Sequence, residues 1–153
     1  MTGPARGVRL GVDVGQVRVG VAVSDPDGIL ATPLVTLARD LKTGIDGVPT
    51  DISEIARLVE LHEVVTVVVG LPVTLAGGNG PAAQHATAYA QRVAAAVAPV
   101  PVDLVDERMS TVVASRRLAE RGVRGRRQRA VVDQAAAVEI LQSWLDRQRR
   151  RTG

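Results

Sequence analysis

The stretch Val8-Arg9-Leu10-Gly11-Val12-Asp13-Val14-Gly15-Gln16-Val17-Arg18-Val19-Gly20-Val21-Ala22-Val23-Ser24 decides the fold. Val8 to Val14 is a largely apolar run, and Gly15-Gln16 is a turn by composition. Val17, Val19, Val21 and Val23 then alternate with Arg18, Gly20, Ala22 and Ser24, the period-two pattern of a strand. A second turn, Asp25-Pro26-Asp27-Gly28, leads into a third short strand expected near Ile29 to Leu37. Three strands joined by two short turns predict an antiparallel meander.

Outward from the meander the pattern changes. Asp51 is placed to cap a helix in which Ile52, Ile55, Leu58 and Val59 recur at helical spacing. Val64 to Leu71 is almost continuously apolar, as a central strand covered on both faces should be. A Gly-rich loop over Pro72 to Gly80 precedes an Ala-rich helix over Pro81 to Val97. Val102 to Val105 reads as a strand ending at Asp106-Glu107, Ser110 to about Arg121 as a helix, and Val131 to Arg147 as the last helix. The expected class is α/β, with a mixed five-stranded sheet and helices packed on both faces. The 153 residues make one domain, in which 1–7 and 147–153 read as flexible ends.

Composition excludes several functions. With no Cys there is no disulfide framework, thiol catalysis or cysteine zinc site. Tyr89 and Trp144 are the only aromatic residues, so stacking of successive bases on aromatic platforms is excluded. No apolar run is long enough to span a bilayer and no signal peptide opens the chain, so a cytoplasmic protein without membrane contact is expected. The net charge of +3 is unevenly spread. Met1 to Glu107 holds 7 basic and 12 acidic residues, a net of −5, and Arg108 to Gly153 holds 12 and 4, a net of +8. The terminal arginines 147 and 149–151 suit a solvated tail. Arg124, Arg126, Arg127 and Arg129 read as a basic loop around Gly125 that contacts phosphates.

Three carboxylates fall where carboxylates are costly or oddly placed. Asp13 lies inside an apolar strand, where an unpaired charge costs several kcal/mol. Glu107 follows a strand end directly, and Asp133 falls on the inward stripe set by Ala137, Ile140, Leu141 and Trp144. Gln134, Glu139, Gln142 and Asp146 take the outer face of that helix. Each acid has an ordinary explanation of its own: turn hydrogen bonds for Asp13, solvation for Glu107, the helix dipole for Asp133. Taken together they can also form one oxygen-donor site, which selects Mg²⁺ or Mn²⁺.

Four segments in order carry a resemblance. Gly11-Val12-Asp13-Val14-Gly15 with Arg18 and Gly20 to Ser24 resembles the opening motif of the YqgF/RuvX family. Val69-Gly70-Leu71-Pro72 through Gly77, Asp106-Glu107-Arg108-Met109-Ser110-Thr111, and Val132-Asp133-Gln134-Ala135-Ala136-Ala137 with Ile140-Leu141-Gln142 resemble its other three. The match spans about Gly7 to Leu145. Members are assigned as Holliday junction resolvases or as pre-16S rRNA nucleases of ribonuclease H-like fold. The resemblance implies Asp13, Glu107 and Asp133 as catalytic, metal-binding acids. It implies a hydrolase that cleaves phosphodiester bonds with Mg²⁺ or Mn²⁺, in 5′-end processing of pre-16S rRNA or, alternatively, on four-way DNA. Arg18, Arg108, Ser110, Thr111 and the arginines at 124, 126, 127 and 129 are then expected to hold structured RNA or branched DNA. Thr74 stands where the family usually has Asn, and Val131 where it often has a base. A resolvase would be a two-fold homodimer.

Two other classes compete. The Asp13 to Ser24 stretch also resembles the phosphate loop of sugar-kinase and actin-like ATPases, but those close two such domains around ATP. A non-catalytic RNA-binding or assembly module would need the arginines and not the acids; retention of all three acids argues against it.

Overall fold

The computed structural model describes residues 6–44, 47–72, 80–106 and 126–152, with side chains of the last segment from 134 to 151. Five strands, β1 (Val8–Val14), β2 (Arg18–Ser24), β3 (Ala31–Ala38), β4 (Val64–Leu71) and β5 (Val102–Asp106), form one sheet in the order β3-β2-β1-β4-β5. β1 to β3 are the antiparallel meander, and β1, β4 and β5 are mutually parallel. Helices α1 (Thr50–Leu61) and α2 (Pro81–Val97) connect the parallel strands, and α3 (Arg126–Thr152) ends the described chain. The sheet is mixed and five-stranded, with helices on both faces, as expected. The helix expected over 110–121 and most of the loop over 72–80 lie outside the described residues.

Alternation in β1 assigns the two faces. Leu10, Val12 and Val14 pack with Ile52, Ile55, Leu58 and Val59 of α1 and with Tyr89, Ala90 and Val93 of α2. Gly11 lies under α3, where a Cβ would stand 2.7 Å from the Leu141 Cβ and 2.9 Å from the Ala137 carbonyl oxygen. β1 is therefore covered twice, which is why its sequence reads as an apolar run. Each Val, Leu or Ile buried there contributes about 1.5–3 kcal/mol. With so few aromatics, it is this Val-rich packing that holds the sheet to its helices.

α3 buries Ala136, Ala137, Ile140, Leu141 and Leu145 against Ala22, Ala31, Val68 and Val105. Ala137, Ile140 and Leu141 form the inward stripe as expected, and the difference lies at its last position. Trp144 is only half-buried and its indole N–H donates to Asp103 Oδ2 at 3.2 Å, while Leu145 fills the core. Gln134 and Gln142 do not take the outer face. The Gln142 amide accepts from the Ala31 N–H at 2.9 Å and donates to the Ile29 carbonyl at 2.8 Å, and Gln134 donates to the Thr36 hydroxyl at 3.0 Å. They satisfy backbone and side-chain polar groups of β3 and of Ile29 just before it.

α3 also begins earlier than expected. Arg126, Arg127 and Arg129 lie in its first turns and not in a loop, because Arg-Arg-Gln-Arg-Ala are all good helix formers. The helix continues through 147–151 to Thr152, and its last turn carries Arg149, Arg150 and Arg151, where cations favour the dipole. Among the described residues no helix is long and apolar enough to cross a membrane.

Candidate functional site

Asp13 is one residue from the end of β1 and 3% exposed, between the core residues Val12 and Val14. It pairs with Gly20 of β2. Period-two alternation puts it on the same face as Gly11, beneath α3. Across the parallel strands, Val12 pairs with Val69, and Gly70 with Val105. Asp13 thus stands level with Gly70 and Val105, at the carboxyl ends of all three strands. Crevices at that end of a parallel sheet are where ligands bind in open α/β folds.

The direction of α3 relates Asp133 to this point. Gln134 bonds to Thr36 late in β3 and Gln142 to Ala31 at its start, so α3 runs antiparallel to β3. β3 and β1 both run antiparallel to β2, so α3 is antiparallel to β1 as well. Ala137 and Leu141 cross β1 at Gly11. Asp133 occupies the turn of α3 before Ala137, toward the Asp13 end of the strand.

The remaining expected site residues fare unevenly. Arg18 opens β2, half-buried, two positions before Gly20 on the face that carries Ala22 against α3. Asp106 ends β5 opposite Leu71, while Glu107, Arg108, Ser110, Thr111 and Arg124 lie outside the described residues, as does Thr74. Among the described residues no three His, Asp or Glu side chains are grouped to hold a metal. Asp13 alone of the three expected ligands has its side chain described. Its carboxylate, an oxygen donor buried at a strand end, suits a hard divalent cation. On the other face of the β1 end, Gly15, Gln16, Pro72, Pro81 and His85 line an open cleft of about 880 Å³.

One polar cluster is not foreshadowed by the sequence. Asp51 does not cap α1: the helix starts at Thr50, and Asp51, 3% exposed, turns inward. Its carboxylate accepts the Tyr89 hydroxyl at 2.5 Å and the Asp40 N–H at 3.1 Å, and it lies 3.6 Å from Arg39 Nε. The capping work falls to Asp40, which accepts the Thr50 N–H at 2.9 Å from the preceding loop. The Arg39 guanidinium lies over the Tyr89 ring, 4.8 Å from its centroid. Burial and the bond to Asp51 push the Tyr89 phenol well above its ordinary range. His85 is exposed but sits with Nε2 2.7 Å from Arg39 Nη1. Because a guanidinium only donates, Nε2 accepts and the ring proton is on Nδ1.

These groups give stability a direction in pH. Burial, then the Arg39 charge, lowers the His85 ionisation below its ordinary 6.5. Between the folded and unfolded values the unfolded chain holds more protons, so stability rises with pH there. Hydrogen bonds from Thr43 and Thr50, foremost the Thr43 hydroxyl, hold Asp40 well below the ordinary 3.8. Asp25, which accepts backbone N–H groups of Leu30, Ile29 and Asp27, is lowered too. That contribution is present above 3.8 and lost as pH falls. The melting temperature is therefore expected to be level from about pH 6.5 to about 10, to decline above that as the unfolded Tyr89 ionises, to decline just below 6.5, and to fall further below 3.8. Melting of a His85→Gln variant across the same series should lack only the decline just below 6.5.

The sequence profile of the RuvX family, described as Holliday junction resolvase, matches residues 7–147. The chain is 56% identical over 147 residues to a protein of Rhodococcus erythropolis named "Putative pre-16S rRNA nuclease", covering 96% of this chain and 82% of that one. A protein of Mycobacteroides abscessus with the same name is 56% identical over 150 residues, covering 98% and 87%. Among solved structures, Thermus thermophilus RuvC in complex with Holliday junction substrate superposes with a TM-score of 0.56 at 17% identity, over 95% of this chain and 96% of that one. That likeness shows the ribonuclease H-like fold. With a profile running from Gly7 through Arg147 and relatives alike over nearly the whole chain, the protein belongs to the RuvX family.

Proposed function

We propose that the chain is a divalent-metal-dependent nuclease that hydrolyses phosphodiester bonds in precursor 16S rRNA, with Asp13, Glu107 and Asp133 as its metal-holding acids. The observation that supports this most is the buried Asp13 at the carboxyl end of the central strand, with α3 running antiparallel above it. From Gly11 to Asp13 the strand advances about 6.6 Å. From Ala137 back to Asp133 the helix advances about 6 Å in the same direction. Asp133 and Asp13 therefore arrive at the same end of β1. Glu107 is two positions beyond Val105, the β5 residue that packs beneath α3.

When bound, a Mg²⁺ or Mn²⁺ ion supplies charge stabilisation at the scissile phosphate and a lowered pKa for water. The chain's own residues do the rest. Asp13 fixes the site to the most constrained strand of the sheet. Arg18, on the same face, offers a planar donor to a backbone phosphate. Arg108, Ser110, Thr111 and Arg124 flank the acids in sequence, and Arg126, Arg127 and Arg129 enter through the first turns of α3. Nothing in this set reads bases, so recognition rests on phosphate spacing and RNA shape.

The names of the relatives favour rRNA, and the family description raises four-way DNA as the second substrate. One preparation offered precursor 16S rRNA and a four-way junction, with Mg²⁺ and with EDTA, separates the two. Cleavage of the rRNA near its 5′ end, abolished by EDTA, is the expected result; junction cleavage by a dimer would favour the resolvase. Binding of either nucleic acid without cleavage would identify a binding module instead. Replacing Arg124, Arg126, Arg127 and Arg129 together should weaken binding without changing sequence preference. Every arginine–phosphate pairing removed in this way should flatten the log–log salt dependence by roughly 0.7–0.9.

A further inference from the structure

We infer that Arg39 is a positioning residue for Asp13, acting through the carbonyl of Gly15; this role rests on the metal-site reading above. Gly15 follows Asp13 by two residues and makes the turn out of β1. Its N–H donates to the Arg18 carbonyl at 2.9 Å, and a Cβ there would stand 2.8 Å from that same oxygen. The turn is therefore tight and closed on itself. Its outward carbonyl accepts from Arg39 Nη1 at 2.9 Å. This bond runs from the end of β3, 24 residues away in sequence, to the residue just past the Asp13 strand.

Arg39 is itself held from several sides. Its own N–H donates to the Val17 carbonyl at 2.9 Å, continuing the β2–β3 ladder one step beyond the strand. Its side chain is 11% exposed, with Nε facing the buried Asp51 of α1 and Nη1 shared with His85 of α2. Asp51 is in turn fixed by the Tyr89 hydroxyl. A single guanidinium thus links the β1–β2 turn, the end of β3, the first turn of α1 and the first two turns of α2. Such a rigid plane with fixed donors suits the task, since all its partners accept. The ordinary function of a buried Arg–Asp pair is to hold helices on a sheet. What that function does not require is the bond to Gly15, two residues past Asp13 and on no helix.

A side chain that fixes a ligand-bearing backbone behaves as the outer shell of a metal site does, and its removal weakens metal binding about tenfold or more. The full chain and its Arg39→Gln variant are titrated with Mn²⁺ by calorimetry, well below the melting temperature of each. Ile55→Val, a change in the core of the same α1 face, is the reference for reduced stability alone. Arg39→Gln is expected to raise the Mn²⁺ dissociation constant about tenfold. Ile55→Val should leave it at the wild-type value. Cleavage by Arg39→Gln should recover at saturating Mn²⁺, because the ligands remain. Wild-type Mn²⁺ affinity in Arg39→Gln, with only a lower melting temperature, would overturn the positioning role and leave a structural brace. Wild-type protein that binds no Mn²⁺, or an Asp13→Asn variant that binds it undiminished, would instead overturn the metal site, and this role with it.

Discussion

Asp13→Asn is expected to lower cleavage on the order of 10³-fold, since a bound cation contributes several kcal/mol to the transition state and each 1.36 kcal/mol is tenfold in rate. The amide keeps the shape of the carboxylate but is a poorer ligand for a hard cation. Stability should move the other way. If the three acids converge as proposed, a buried carboxylate beside them is a cost in metal-free buffer, so the neutral variant should melt at the same temperature or higher. Activity assays and melting curves on one preparation check both parts. A sharp drop in melting temperature would show Asp13 to be a structural acceptor for the turn that follows it. Asp133→Asn should behave in the same way.

The second large effect is on the fold. Gly11→Ala places a methyl group 2.9 Å from the Ala137 carbonyl oxygen and 2.7 Å from the Leu141 Cβ. The first is backbone in the middle of α3 and cannot rotate aside, so either the helix lifts from β1 or the strand bends. Overpacking of this kind costs about 2–3 kcal/mol. For a domain of this size that is a fall of roughly 5–10 °C in melting temperature. Because α3 also carries Asp133, the displacement should reduce cleavage in the molecules that stay folded. Intact activity with a lowered melting temperature would mean that α3 can move without disturbing the acids. Melting, and cleavage measured well below the transition, separate the outcomes.

Gly11 and Asp13 also show what the sequence makes legible. Both are exceptions in an apolar strand, and exceptions in a periodic pattern are visible without a structure. The meander, the fully covered β4 and the Ala-rich α2 are readable for the same reason: their apolar patterns are alternating, continuous and helical. Asp51 is not. An acid beside the first residue of a helix looks like a cap, and its inward turn depends on Tyr89, 38 residues away. Arg39 and His85 meet across 46 residues, with no local pattern to announce it.

The polar face of α3 departs from expectation for a related reason. Gln134 and Gln142 look solvent-facing by type, yet β3 presents an N–H and a hydroxyl, and Ile29 just before it a carbonyl, that their amides satisfy. Binary patterning treats every polar residue as outward and cannot see a polar partner on a sheet edge. The early start of α3 is hidden because the charge of its arginines is more conspicuous than their helix propensity. The metal site is legible only as three displaced acids. The proposal that Asp133 meets Asp13 rests on the direction of α3 over β1, which the hydrogen bonds to β3 supply.

Anomalous diffraction from crystals of the full chain soaked in Mn²⁺ tests that convergence most directly. A manganese peak is expected at the carboxyl end of β1, bounded by the carboxylates of Asp13, Glu107 and Asp133. No peak at Asp13, or three carboxylates spread over opposite faces of the sheet, would contradict it.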